Sequence, residues 1–328
     1  MTRLSLVEAM ALVPDPRSRH GRIHPLVAVL GLTVTAMLAG CKSLDAIAPF
    51  GRDRGLALAA PLGFRRAKTP NKSALGKIFR RLDVAALDAA LLTWLDGRGA
   101  TTGHVALDCK TLTGSADGTV PGRHLVAAYA TEHAAVVGQL EMARTTNEHK
   151  TALQLLGVLP LAGRIVTADQ CDLERQTAKT LDKGHGRIEK RRITTTTALN
   201  DDLTDWPHLA QVIRVERERR INGTTTVEIV YFITSLKRSR ADATRLLALI
   251  RAHWEIENRL HYVRDVSLGE DVCRVRTGSS PVVLAALRNA TVHLLEGVPA
   301  TSNAATSNAA TMRRFAAHPH EAIRLLQQ

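Results

Sequence analysis

Three acidic residues stand where their surroundings make chemistry conceivable. Asp108 lies inside HVALDCK, an alternating stretch that reads as a strand entering a core. Asp169 lies just after a second short apolar strand, RIVT. Glu257 sits at helical spacing in HWEIENRLHYVRD. An acid at the end of a buried strand is costly unless it is paired or binds a metal. Two strand acids and one helix acid can converge at the edge of an α/β sheet, and such oxygen ligands suit Mg²⁺ or Mn²⁺. Two such ions would clamp the attacking and leaving oxygens of an in-line phosphoryl displacement. Each acid also has an ordinary alternative: helix N-cap or turn for Asp169, a paired core acid for Asp108, a solvated helix face for Glu257. Spacing alone does not connect the three.

Neighbouring residues add candidates. Lys110, two residues after Asp108, shares its side of the strand, to meet a phosphate or to neutralise the acid. His253, His261 and Arg264 fall at −4, +4 and +7 from Glu257, on one helix face. Arg264 could hold a phosphate or belong to a solvated stripe. The cysteines (Cys41, Cys109, Cys171 and Cys273) are far apart and read as free thiols of a reducing compartment. Cys109 and Cys171, with His185, lack zinc spacing and read as core filling.

The charge balance points to the partner. Among 328 residues, 44 are Lys or Arg and 31 are Asp or Glu, a formal net charge of +13. Such a surplus favours a polyanion, and a DNA phosphodiester is the matching substrate. Aromatic residues, at 3%, argue against a single-strand binder that stacks many bases. Residues 64–81 carry Arg65, Arg66, Lys68, Lys72, Lys77, Arg80 and Arg81 and no acid. That stretch reads as a helix-turn-helix-like face for DNA phosphates, or as a merely solvated face. The longest uncharged run, residues 26–41, is shorter than the roughly 20 residues a membrane span needs. It is expected to be a buried helix of a cytoplasmic protein.

The elements that must position these residues follow from periodicity. Residues 1–100 read as helical, with helices expected at 26–39, 43–52, 73–82 and 84–95 and Asp83 as an N-cap. Strands are expected at 104–110, 125–130 and 136–143, a helix at 147–156, a strand at 164–167 and a helix at 172–181, an α/β arrangement. Residues 188–197, 212–221 and 224–233 read as antiparallel strands, the last two joined by Asn222-Gly223, a strong hairpin signal. A long helix is expected at 241–261 and a short one at 312–326, after a duplicated TSNAA. The expected organisation is a helical, DNA-binding part at 1–100, core segments at 101–183 and 240–295 flanking a β-rich insertion at 184–239, and a tail at 296–328.

Several long blocks, in order, resemble one family. DPRSRHGRIHPLVAVLGLTVTAMLAGCKSLDAIAPFGRD, VALDCKTLTGS, IVTADQCDLERQTAKTL, HGRIEKRRI and HWEIENRLHYVRDVSLGEDVCRVRTG are similar to blocks of the H-repeat-associated, ISAs-type insertion-sequence transposases. The resemblance implies a ribonuclease-H-like catalytic core and a DDE triad of Asp108, Asp169 and Glu257. Asp108 would bridge two Mg²⁺ or Mn²⁺ ions, the other acids would hold one each, and Arg264 would contact phosphate. It further implies double-stranded DNA as the partner, a homodimer on that DNA, and a bacterial, nucleoid-associated location. There are departures. Cys109 stands where the family usually has Gly, and Ile250 and His253 stand where related enzymes place Tyr and Arg. After Lys183 a block of several tens of residues, including a strand, has no counterpart, so an edge strand of the sheet is expected to be missing and activity impaired.

Overall fold

Helix α2 (Leu26–Leu38) is apolar on nearly every face, so it can only be stable when surrounded. The computed structural model surrounds it: every residue of the helix except Val27 is buried. The structure describes residues 3–65, 68–100, 102–118, 120–143, 145–146, 148–161, 164–169, 177–184, 187–197, 209–299 and 307–328, with backbone alone at 149, 167–169, 177–184 and 187. The segment Arg19–Leu38 has the length and hydropathy of a membrane span, yet 67% of its apolar window is buried inside the protein.

The other early helices are α1 (Leu6–Ala11), α3 (Leu44–Asp53), α4 (Gly55–Ala59), α5 (Lys72–Phe79) and α6 (Val84–Asp96). Their starts are set by side-chain caps. Ser5 and Glu8 form a reciprocal capping box on α1, Asn71 caps α5, and the Ala86 N–H donates to Asp83 at 3.1 Å, as the spacing predicts for α6.

The strands are β1 (His104–Leu112), β2 (Arg123–Ala130), β3 (Ala135–Glu141), β4 (Ile165–Asp169), β5 (Thr177–Gly184), β6 (Arg187–Thr196), β7 (Gln211–Ile221) and β8 (Thr224–Thr234). They form one mixed sheet in the order β3-β2-β1-β4-β8-β7-β6-β5. Strands β1, β2 and β3 are antiparallel neighbours. Helix α7 (Glu148–Val158) then carries the chain across to β4, which lies parallel to β1. The β-rich segment does not fold apart. Its last strand, β8, pairs antiparallel with β4 through Thr167↔Thr234, Ala168↔Ile233 and Asp169↔Phe232. The edge of β4 that faces away from β1 is thus held by β8. The Asn222-Gly223 turn has φ values of +47° and +82°, the positive pair that a tight two-residue hairpin requires.

Three expected elements differ. Residues 177–181 were expected to end a helix but lie in β5, paired antiparallel with β6 from Thr177↔Thr194 to Gly184↔Arg187. Residues 172–176, the rest of that expected helix, lie outside the described residues. The edge of β6 offers a full ladder to this segment, and pairing overrides its modest helix propensity. The long helix expected at 241–261 is α8 (Ala243–His253) followed by two π-helical segments, Ile256–His261 and Val263–Ser267. The final helix is two, α10 (Asn308–Ala317) and α11 (Pro319–Leu326), because Pro319 starts a new helix after His318 leaves helical geometry.

One large apolar cluster runs from Leu6 to Leu326. It joins the early helices, β1–β3, α9 (Ser280–Glu296) and α11. A second cluster packs Leu246, Leu247 and Ile250 of α8 onto Ile193, Ile213, Val215 and Phe232. That packing fixes the helix whose continuation carries Glu257.

Candidate functional site

Strand β1 brings Asp108 to the middle of the sheet. Its carboxylate accepts a hydrogen bond from the Cys109 N–H at 2.8 Å, and its side chain remains 27% exposed. Burial, outweighing His261 and this hydrogen bond, holds the Asp108 carboxyl above its ordinary value, and the charges of Glu257 and Glu148 add to the rise.

Asp169 ends β4. The parallel register pairs His104 with Ile165, Val105 with Val166 and Ala106 with Thr167. That ladder ends at Ala106↔Thr167, two residues before Asp108 on β1 and two before Asp169 on β4. The side chain of Asp169 is outside the described atoms.

Glu257 and His261 arrive together on the π-helical segment that follows α8. Such widened turns recur where a helix must aim particular side chains. His261 Nδ1 lies 3.4 Å from Glu257 Oε1 and 3.5 Å from Asp108 Oδ2. Hydrogen bonding with His261 is the main reason the Glu257 carboxyl sits below its ordinary value, against the pull of burial. One ligand atom from each of Asp108, Glu257 and His261 can be chosen so that all lie within 4.8 Å of one another. Two carboxylates plus an imidazole nitrogen form a donor set that fits a divalent cation, whose charge would offset the mutual repulsion of the acids.

Two residues were missed or undervalued in the sequence. Glu148, at the start of α7, lies near enough to the Cys109 thiol for its charge to add to the burial that above all pushes that thiol up to about 12. Nothing in the sequence distinguished it from an ordinary first-turn helix acid. His261 was visible only as one member of a helix face.

The basic candidates fall into three groups. Lys110 is inside the site region, 10% exposed, and pairs with Asp265 at 2.7 Å and Asp271 at 3.9 Å rather than with Asp108. Arg264 corrects the expectation of a phosphate contact. It is 1% exposed, its guanidinium pairs with Glu270 at 2.6 Å, and it donates to Asn289 Oδ1 at 3.1 Å. Arg288 joins the same Glu270 at 3.3 Å, and Asn289 donates onward to Gln139 at 3.0 Å. Arg264 therefore braces the segment after Glu257 against α9 and β3. The remaining group is at the surface: Arg65, Lys68, Lys77, Arg80 and Arg81 are exposed, and Lys72 is exposed in a pair with Asp45 at 2.8 Å. Leu75, Ile78 and Phe79 bury the opposite side of α5. Arg66 lies outside the described residues.

Comparison with known proteins adds what geometry alone does not. A family model described as DDE_Tnp_1-associated matches residues 7–95, and one described as Transposase DDE domain matches residues 90–295. The chain is 26% identical to "Putative transposase YncI" of Escherichia coli O157:H7, over 90% of this chain and 88% of that one. It is 23% identical to "H repeat-associated putative transposase YhhI" of Escherichia coli strain K12, over 88% of this chain and 90% of that one. The piggyBac transposase synaptic complex with hairpin DNA, among solved structures, is 11% identical over 90% of this chain and 71% of its own, with a TM-score of 0.40, too low to bear on the fold. With the transposase DDE domain spanning well over half of its length, the chain belongs to the DDE transposase family, whose members use divalent metals to cut DNA and transfer its strands.

Proposed function

We propose that this chain is the transposase of an insertion sequence, cutting phosphodiesters at the element's ends and joining the freed 3′ ends to target DNA. Asp108, Asp169 and Glu257 form its acidic triad on a ribonuclease-H-like core. The observation that supports this reading most is that Asp108 and Glu257 converge on His261, while Asp169 ends the strand that runs parallel beside β1. The three acids would hold two Mg²⁺ or Mn²⁺ ions. When bound, these supply Lewis-acid stabilisation of the attacking and leaving oxygens of an in-line displacement. The carboxylates orient that centre, Glu148 adds negative potential beside it, and Lys110 with Asp265 and Asp271 lines its flank. No side chain serves as nucleophile, so no covalent protein–DNA link forms. Residues 1–100 grip duplex DNA through Arg65, Arg66, Lys68, Lys72, Lys77, Arg80 and Arg81, and a homodimer on the DNA brings two ends together. The protein works in the cytoplasm, at the nucleoid.

A second reading is a catalytically dead, DNA-binding remnant, and one observation favours it. The alignment to YncI extends over 347 positions, whereas this chain contributes 90% of its 328 residues, so about fifty aligned positions have no residue here. That total is of the size of the internal deletion read after Lys183. The test incubates the chain, Mn²⁺ and a duplex bearing the element's terminal inverted repeats with a second, unmarked duplex. Joined products that vanish with Asp108→Ala establish the transposase. DNA binding unchanged by Asp108→Ala, with no cutting by either protein, establishes the remnant.

A further inference from the structure

We infer that His261 is itself a ligand of the metal centre, adding one imidazole nitrogen to the carboxylates of Asp108 and Glu257. The inference rests on the metal-dependent reading above and extends it beyond the acidic triad.

The geometry points this way on three counts. First, Nδ1 stands between two carboxylate oxygens, 3.5 Å from Asp108 and 3.4 Å from Glu257. A charge-assisted hydrogen bond is shorter, about 2.7–2.9 Å. For metal–ligand bonds of about 2.1 Å, neighbouring corners of a coordination octahedron are about 3.0 Å apart. The observed separations exceed this by a few tenths of an ångström: the long hydrogen bond between His261 and Glu257 leaves these atoms grouped closely enough to close around a common cation.

Second, the ring is fixed. Its side chain is 6% exposed, it sits on the same π-helical segment as Glu257, and Nδ1 is the ring nitrogen beside both carboxylates. A mobile surface imidazole would lose entropy on ligation; this one has already lost it in folding.

Third, Nε2 is buried with no hydrogen-bond partner among the described residues. Among the described contacts the ring's polar partners lie at Nδ1, the atom facing the carboxylates, which makes Nδ1 the nitrogen offered to a cation.

The consequence is a bias in metal choice. An imidazole nitrogen favours borderline transition ions over the hard Mg²⁺, which prefers oxygen. The preference for Mn²⁺ over Mg²⁺ is therefore expected to fall on the order of tenfold in His261→Ala.

The deciding experiment is pulsed electron paramagnetic resonance of Mn²⁺ bound to the untagged full-length chain. The expected spectrum shows nitrogen hyperfine coupling that changes from ¹⁴N to ¹⁵N when histidine is isotopically labelled, a readout needing no variant. The coupling is expected to vanish in His261→Ala and in Asp108→Asn. Bound Mn²⁺ that is released by Asp108→Asn but shows no nitrogen coupling overturns the inference and leaves the metal-dependent reading intact. Nitrogen coupling that persists in His261→Ala also overturns it, by assigning the nitrogen to another residue. Failure of Mn²⁺ to bind at all overturns both.

Discussion

The guanidinium of Arg217, on β7, lies 4.3 Å from the centre of the Trp254 ring, with Arg191 of β6 at 5.9 Å. Glu189, itself buried, holds both arginines, at 2.7 Å from Arg191 and 3.7 Å from Arg217. Trp254 is the C-cap of α8, three residues before Glu257. The β-rich segment thus grips the helix just before the π-helical segment that carries Glu257. Cation–π contacts of this kind contribute about 0.5–2 kcal/mol. Trp254→Ala is expected to lower unfolding stability by about 2 kcal/mol and Mn²⁺ affinity several-fold. Calorimetric titration of the folded variant with Mn²⁺ checks this. Unchanged affinity would show that the contact does not position Glu257.

Arg264 makes a sharper distinction. As a buried brace, its replacement leaves Glu270 with only Arg288, and removing one partner of a buried pair costs about 3–5 kcal/mol. Urea denaturation of Arg264→Met is expected to show a loss of that size. A surface phosphate contact would instead leave stability within about 0.5 kcal/mol and weaken DNA binding alone.

The dependence of stability on pH follows from four buried groups outside the metal site. Burial is the main cause of lowering the His104, His253 and His293 imidazoles to about 4 each, and of pushing the Asp88 carboxyl up to about 7. As pH falls from about 6.5 to 4, the three histidines take up protons in the unfolded chain before the folded one, which destabilises the fold. Asp88 acts oppositely: its contribution is fully present below its unfolded value near 3.9 and is lost as pH rises through about 7. Three histidines outweigh one aspartate over the acid range, so stability should rise from pH 4 to about 7 and level off by pH 7.5. Thermal melts across that range test it. A flat profile would show that these groups titrate as they do in water.

The basic face predicts a salt signature. Each phosphate neutralised by Lys or Arg contributes about 0.9 to the slope of log affinity against log salt. Replacing Lys77, Arg80 and Arg81 with Gln is therefore expected to reduce that slope by about 2.7 for a duplex of any sequence. Fluorescence anisotropy at several salt concentrations measures it, and an unchanged slope would move the DNA contact elsewhere.

Much of this was legible beforehand because local signals and tertiary demand agreed. The apolar run of α2, the Asp83 cap and the Asn222-Gly223 turn are each dictated by a few adjacent residues. The partners of the acids were not legible, since His261, Glu148 and Asp108 come from three separate elements and meet only through the sheet and the π-helical turn. Arg264 misled because its position seven residues after Glu257 says nothing of Glu270, which the chain folds back to meet it. Residues 177–181 misled because a neighbouring strand edge, invisible to local periodicity, decided their conformation.

If the carboxylates at 108, 169 and 257 act as one metal-dependent centre on DNA, cutting needs all three. Nicking of a duplex carrying the element's own terminal repeats, in Mn²⁺, measures it most directly, comparing the native chain with Asp108→Asn, Asp169→Asn and Glu257→Gln. Site-specific nicks by the native chain are expected, with a loss of at least a hundredfold in each variant and DNA affinity kept. Nicking that survives any one of the three substitutions would contradict it.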